Sequence, residues 1–99
     1  MKFARTDTGD ETRLSIGGSL DALTAAILRP KVDAIVNEQR KRVVVDLSEL
    51  ELIDSSGVAV LVALFKRTRA HGGAMRVTGV RDQPAAIFKL LRLDRVFGQ

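Results

Sequence analysis

The residues best placed for chemistry stand together in one short polar segment, Asp54-Ser55-Ser56-Gly57, between two apolar stretches. A serine acts as a nucleophile only when a general base lies within hydrogen-bond reach. The single histidine, His71, stands sixteen residues after Ser55, and in one helix that separation is roughly 24 Å along the axis. His71 therefore cannot activate Ser55, and the Gly-x-Ser-x-Gly motif of serine hydrolases is also absent.

Metal and nucleotide chemistry lack their usual ligands as well. The chain has no cysteine and one histidine, and carboxylates such as Glu49 and Glu51 are scattered along a predicted loop rather than spaced as a ligand set. No phosphate-binding Gly-x-x-x-x-Gly-Lys-Ser/Thr loop is present. We predict a protein that is not an enzyme and that uses no metal and no cofactor.

The strands that position the polar segment can be predicted from hydrophobic patterns. Val43-Val44-Val45 indicates a central strand at residues 42–47 that is covered on both faces, which favours a parallel arrangement. The stretch from there to Ile53 is expected to be a loop. Gly17-Gly18 is expected to break an earlier strand. Shorter patterns predict three further strands, at residues 2–7, 12–17 and 75–78.

Helices are predicted at three places. Asp21 is placed to cap the first, which runs to about Val36, and Pro30 inside it predicts a bend or a fresh helix start. The second covers about residues 56–71. The third begins at Asp82-Gln83-Pro84, because proline is tolerated in a first helical turn. Its apolar stripe is predicted to be Ala86, Ile87, Leu90 and Leu91.

The helix after the serines has eight consecutive apolar residues, 58–65, which cannot all face one core because a turn takes 3.6 residues. One stripe consists of Val58, Leu61, Val62 and Phe65. Val60 and Leu64 lie off this stripe, so either another element of the domain buries them or they contact a partner protein. We predict that they face outward and contact a partner.

Two adjacent serines at the start of a helix have an ordinary structural explanation. Ser, Thr, Asp and Asn cap helices by accepting hydrogen bonds from the free amides of the first turn. Asp21 can be interpreted in the same way, since an apolar-periodic segment follows it. For these positions, capping is therefore the alternative to a functional role.

The whole pattern around the serines is more specific than a helix cap. It reads Asp46-Leu47-Ser48-x-Leu50-x-x-Ile53-Asp54-Ser55-Ser56-Gly57-Val58, and Gly18-Ser19-Leu20-Asp21 precedes it. Together, the two motifs resemble the STAS domain of anti-sigma-factor antagonists, over nearly all of the chain. The resemblance implies one α/β domain over residues 1–99, with a mixed sheet of four to five strands packed with three to four helices.

Typical members of that family continue through a last strand into a further helix. Residues 93–97 are expected to lead toward this last strand, but the sequence stops at Gln99. We therefore expect the last strand and the C-terminal helix of the family to be shortened or missing.

The resemblance also implies a function. In the family, the serine directly after the motif aspartate is phosphorylated by a cognate kinase, and carried over to this chain that serine is Ser55. The unphosphorylated form is implied to bind an anti-sigma factor serine kinase and so release a sigma factor, and a PP2C-type phosphatase is implied to reset the serine. A phosphoryl group at a helix N-terminus would meet free backbone amides. The implied partner surface contains Asp21, Asp54, Ser56 and Gly57.

The alternative under the same resemblance is a STAS subunit of another assembly, such as a stress-signalling complex or a lipid-transport ABC transporter. The sequence identifies neither the kinase nor the sigma factor. It also leaves open whether the protein is a monomer or a weak dimer.

The charge and hydropathy patterns exclude some other partners. The net charge is +4 at pH 7, but lysines and arginines are scattered. With no Trp or Tyr, stacking platforms for single strands would have to come from the four Phe, three of which stand in core-like patterns,. We predict no nucleic-acid binding. No apolar run reaches the roughly 18 residues of a membrane helix, and the amino end does not look like a signal peptide. A cytoplasmic, bacterial-type regulator without membrane insertion, as the resemblance implies, fits these features, although many other small domains fit them too. Its basic charge would suit an acidic partner or an anionic membrane surface.

Overall fold

The computed structural model describes residues 2–97, which contain five strands and four helices. In chain order they are β1 Lys2–Thr8, β2 Glu11–Leu20, α1 Ala22–Asn37, β3 Arg42–Asp46, β4 Leu50–Ile53, α2 Ser55–Ala70, β5 Ala74–Thr78, α3 Asp82–Leu90 and α4 Leu93–Val96. This mixed α/β architecture confirms the predicted fold class.

The sheet is organised around β2, which has three neighbours. β1 pairs antiparallel with β2 along its length, β3 pairs parallel with its first half, and β4 pairs parallel with its last residues. β5 pairs parallel with β3, so the order is β1-β2-β3-β5 with β4 beside the end of β2. The valines of β3 are buried, as predicted for a central parallel strand.

Two predictions about the strands are wrong. Gly17-Gly18 does not break β2, because Gly18 takes a φ of +85° and the strand continues through a register shift between Gly18 and Ser19. A positive φ costs glycine little, so the bulge is accommodated there. The segment expected to be a loop up to Ile53 contains β4, which extends the sheet to the start of α2.

Helix α1 is a single helix with Pro30 inside it, so a fresh helix start is wrong, and a bend at Pro30 stays a prediction. A proline in a helix interior removes one hydrogen bond and costs about 3 kcal/mol. Pro30 is exposed, whereas Leu28 before it and Val32 after it are both buried. Burial on both sides of the proline keeps one apolar stripe against the core, which favours a continuous helix.

The C-terminal part of the chain also differs from the prediction. The residues expected to lead toward a strand form α4, and no strand follows β5 within residues 2–97. The predicted stripe of α3 is wrong, since Leu90 is 77% exposed and Leu91 is 51% exposed. Helix α3 instead packs through Phe88, whose ring makes an edge contact with Phe97 at a centroid distance of 5.5 Å.

Candidate functional site

The two sequence motifs meet at one edge of the sheet. The strands that these motifs contain or overlap, β2 and β4, are adjacent and parallel, so their carboxyl ends lie together and both lead into helices. The amide of Asp54 donates a hydrogen bond of 3.1 Å to the carbonyl of Leu20, which joins the two turns directly. Asp21 and Asp54 are consequently the N-caps of neighbouring helices. Ligand and partner sites of parallel sheets are found at this kind of edge.

The serines are not the cap of α2, and the capping interpretation is wrong for them. One oxygen of Asp54 accepts hydrogen bonds from the amides of Ser56 at 2.9 Å and Gly57 at 3.2 Å. Ser55 is the first helical residue and is exposed. Its hydroxyl has no hydrogen-bond partner within residues 2–97. The hydroxyl is therefore both exposed and free of hydrogen bonds to the rest of the described chain. Because Asp54 occupies two amides of the first turn, those amides are not free for a phosphoryl group, contrary to expectation.

Asp21 caps α1, as predicted. Its carboxylate accepts hydrogen bonds from the amides of Leu23 at 3.1 Å and Thr24 at 3.0 Å, and the Thr24 hydroxyl accepts one from the Asp21 amide. These bonds, first of all the one from the Thr24 amide, hold the pKa of Asp21 below its usual value. The carboxylate is exposed at the same edge as Ser55 and stays ionised at neutral pH,.

Gly57 has an internal role, which corrects the expectation that a partner approaches it. The residue is buried, and a Cβ placed on it would lie 2.7 Å from both Cγ and the carbonyl oxygen of Leu20. Contacts under 3.0 Å essentially never occur for a real Cβ. Glycine is therefore required here because the turn before α1 packs directly against the first turn of α2.

A residue that sequence reasoning missed, Gln83, holds the segment before Ser55. Its side-chain carbonyl accepts a hydrogen bond of 2.9 Å from the Ile53 amide, and its side-chain NH₂ donates one of 3.0 Å to the Ile53 carbonyl. Gln83 thereby acts on β4 as a neighbouring strand would. In the sequence Gln83 is only part of a helix start next to Pro84, and nothing there indicates which backbone its amide reaches.

Val60 and Leu64 are buried, so the prediction that they face outward is wrong. Val60 is 3% exposed and Leu64 is 0% exposed. Helix α1 packs along α2, and Val60 lies against α1 beside Val32. The buried stripe of α2 is Gly57, Val60, Leu61, Leu64 and Thr68. We therefore withdraw Val60 and Leu64 as partner contacts.

The apolar surface at this edge comes from β4 instead of α2. Leu52 is 53% exposed. It lines a shallow depression of about 300 Å³ together with Asp21, Asp54 and Gln83. Leu23, also exposed, follows Asp21 by two residues. An exposed leucine in a depression that two aspartates also line is suited to contact another protein,.

Groups that would suggest other chemistry are lacking in the part of the chain that is described. Over residues 2–97 no cluster of three or more His, Asp or Glu side chains is arranged to hold a metal ion. The same residues include no helix with the length and hydrophobicity to cross a membrane.

Comparison with known proteins agrees with this geometry. A family model described as "Mlab, STAS domain" matches residues 3–98. The anti-sigma-F factor antagonist RsfB of Mycobacterium tuberculosis is 40% identical over 86 residues, which are 85% of this chain and 68% of that protein. The crystal structure of an anti-sigma factor antagonist from Mycobacterium paratuberculosis superposes with a TM-score of 0.87 at 25% identity, covering 97% of this chain and 81% of the other.

A further structure shares the fold. The Bacillus cell fate determinant SpoIIAA in its phosphorylated form superposes with a TM-score of 0.78 at 18% identity, over 95% of this chain and 86% of that chain. The chain therefore belongs to the STAS domain family, among the anti-sigma factor antagonists.

Proposed function

We propose that this chain is a phosphorylation-switched anti-sigma factor antagonist with Ser55 as its phosphoacceptor. In its unphosphorylated form it binds an anti-sigma factor serine kinase and thereby releases a sigma factor for transcription. The kinase phosphorylates Ser55, which ends the interaction, and a PP2C-type phosphatase restores the free hydroxyl. The single observation that carries the proposal is the exposed, unbonded hydroxyl of Ser55 on a rigidly held helix start.

The rigid support favours phosphorylation of this serine. A phosphoacceptor needs only an accessible hydroxyl, because the kinase supplies the base, the metal ion and the nucleotide. Asp54 caps the helix on which Ser55 lies, and Gln83 holds the preceding strand residue. The hydroxyl is therefore presented at a fixed position rather than on a flexible loop.

The charges around Ser55 make phosphorylation an effective switch. A phosphoryl group adds about −1.5 to −2 charges at neutral pH. The nearest turns already carry the carboxylates of Asp54 and Asp21, and Asp54 occupies the amides of Ser56 and Gly57. The phosphoryl group therefore adds to local negative charge and is not neutralised by the helix start. A partner surface that accepts two carboxylates and a neutral hydroxyl would have to accommodate a much larger negative charge.

The docking surface that we propose consists of Asp21, Leu52, Asp54, Ser55 and Ser56. Leu52 supplies the exposed apolar contact that α2 does not provide. Asp21 and Asp54 line the same depression, and their carboxylates would pair with basic groups of the kinase,.

Phosphorylation by a co-encoded anti-sigma factor kinase with ATP is the direct test of the phosphoacceptor. We expect one phosphoryl group per chain, mapped to Ser55 by mass spectrometry. Ser55→Ala is expected to abolish the modification because no other serine of the site combines an exposed hydroxyl with the first helical position. Ser56→Ala is the matched control and should be phosphorylated like the unsubstituted protein.

Thermal melts of both variants show whether a loss of phosphorylation is caused by unfolding. Phosphate on Ser56 or Ser48 would mean that the family motif has been aligned in the wrong register. A complete absence of phosphorylation would contradict the proposal and favour a STAS subunit of another kind of assembly, such as a stress-signalling complex or a lipid-transport ABC transporter.

A further inference from the structure

A second concave surface lies away from Ser55, where the beginnings of β2, β3 and β5 meet α2 and α4. It is a groove of about 700 Å³. Its lining includes Arg42 and Ala74, the first residues of β3 and β5, whereas Asp21 and Asp54 follow the last residues of β2 and β4. The groove therefore lies at the opposite end of the parallel strands from the phosphoacceptor. Its apolar lining includes Val44, Phe65, Met75, Val96 and Phe97.

The groove is strongly positive for its size. Four arginines line it, and Glu11 is the one acidic side chain among its described lining residues. Arg42 pairs with Asp10 on the surface at 2.9 Å, and Arg69 stacks over the ring of Phe65. The other two, Arg76 and Arg95, form no ion pair or hydrogen bond within residues 2–97. Guanidinium groups in this state are suited to bind carboxylates through paired hydrogen bonds.

The backbone of β5 offers a further binding element. Ala74 donates and Thr78 accepts hydrogen bonds of 2.9 Å on the side of β3. Since backbone groups alternate sides along a strand, those of Met75 and Val77 point to the outer edge. The Val77 amide donates to the carbonyl of Phe97 at 3.2 Å, so this half of the edge is occupied. The outward backbone groups of Met75, which lines the groove, are not paired with another strand within residues 2–97.

From these features we propose that the groove binds an extended, acidic segment of a partner protein, which adds as a short strand beside Met75. Its carboxylates pair with Arg76 and Arg95, and an apolar side chain contacts Phe65 and the exposed Val96. This site and its ligand go beyond the phosphorylation switch and do not depend on it. Nucleic acid would use the arginines but not the strand edge, and a lipid would use the apolar lining but leave the backbone of Met75 unpaired. A peptide strand uses all three features.

A fluorescein-labelled peptide of sequence Glu-Val-Glu-Phe-Glu-Val-Glu, titrated with the full chain and followed by anisotropy, tests the charge requirement. We expect Arg76→Ala/Arg95→Ala to weaken binding at least about tenfold. The double variant Arg29→Ala/Lys31→Ala removes the same charge from α1 and should leave the affinity unchanged. A peptide with glutamine in place of glutamate should bind at least about tenfold more weakly. Equal losses in both double variants would mean non-specific attraction and would overturn the proposal.

N-methylation of the peptide tests the added strand. Two peptides, methylated on alternate residues, direct the methyl groups either toward β5 or away from it. Strand addition predicts that the peptide with methyl groups toward β5 loses binding. The peptide with methyl groups away from β5 should still bind and should shift the NMR signal of the Met75 amide. Equal affinities of the two peptides would contradict strand addition.

Three further measurements separate this site from other interpretations. Ser55→Ala should bind the acidic peptide with unchanged affinity, since the groove is remote from the switch. Single-stranded DNA and vesicles containing phosphatidylglycerol are the competing probes, and neither should displace the peptide at physiological salt. If either probe displaces the peptide and its own binding is lost in Arg76→Ala/Arg95→Ala, the groove belongs to that probe and the peptide proposal is overturned.

Discussion

Replacing Val60 by lysine is expected to unfold the domain rather than to weaken a protein contact. Val60 is 3% exposed and lies between α2 and α1. An uncompensated charge in such a position costs about 3–5 kcal/mol, and a domain of this size has a total stability of about 5–15 kcal/mol. We expect a large fall in melting temperature, or a chain that is unfolded at room temperature, measured by circular dichroism.

The matched control for this substitution is Ala70→Lys, which introduces the same side chain at the exposed end of the same helix. A cation near a helix C-terminus is tolerated or slightly favourable, so the melting temperature should stay close to that of the unsubstituted chain. A Val60→Lys variant that melts like the Ala70→Lys control would contradict the packing of α1 on α2.

Replacing Phe97 by alanine is expected to lower the free energy of unfolding by a similar amount. Phe97 is fully buried, and its ring makes edge contacts with Phe65 at 5.6 Å and Phe88 at 5.5 Å. Removing a buried phenylalanine costs about 3–5 kcal/mol, because the lost contacts leave a cavity and two aromatic pairs disappear. Chemical denaturation should record a lower midpoint with an unchanged slope.

The neighbouring Val96 provides the control, since it is 46% exposed and is the last residue of α4. Val96→Ala should cost less than about 1 kcal/mol. If Phe97→Ala were as stable as Val96→Ala, the C-terminal residues would not belong to the core.

The fold could be predicted from the sequence where local patterns were unambiguous. Val43-Val44-Val45 indicated a strand covered on both faces, and the structure places β3 between two parallel neighbours. Asp21 before an apolar-periodic segment indicated a helix cap, and the carboxylate caps α1. Both predictions depend on residues adjacent in the chain, for which sequence patterns carry direct information.

The predictions that failed required knowledge of contacts between distant elements. Two stripes can be drawn on α2, and both contain Leu61. Only the packing of α1 decides that Val60 and Leu64 are buried more completely than Val58 and Val62. In the same way, nothing near Phe97 in the sequence reveals the rings of Phe65 and Phe88.

The candidate site was partly predictable for the same reason. The motifs drew attention to Asp21, Asp54 and Ser55, and the structure brings the turns that carry them together through a backbone hydrogen bond. The role of Gln83 depends on a side-chain amide that reaches across thirty residues to Ile53. Leu52 was not selected because its exposure depends on how β4 pairs with β2.

The proposed switch follows from a simple combination of properties. An exposed, neutral hydroxyl lies on a helix start that Asp54 caps, and Asp54, Asp21 and the exposed Leu52 line a depression before it. Phosphorylation changes the charge of this surface without requiring a change of fold. The arginine-lined groove at the other end of the strands offers a separate contact for an acidic partner segment.

The most direct test of the account is calorimetric titration of the co-encoded anti-sigma factor kinase with the unphosphorylated chain and with the same chain phosphorylated on Ser55. We predict that phosphorylation weakens binding at least about tenfold, or 1.4 kcal/mol, while the melting temperature of the free domain changes little. Equal affinities of the two forms would contradict the account.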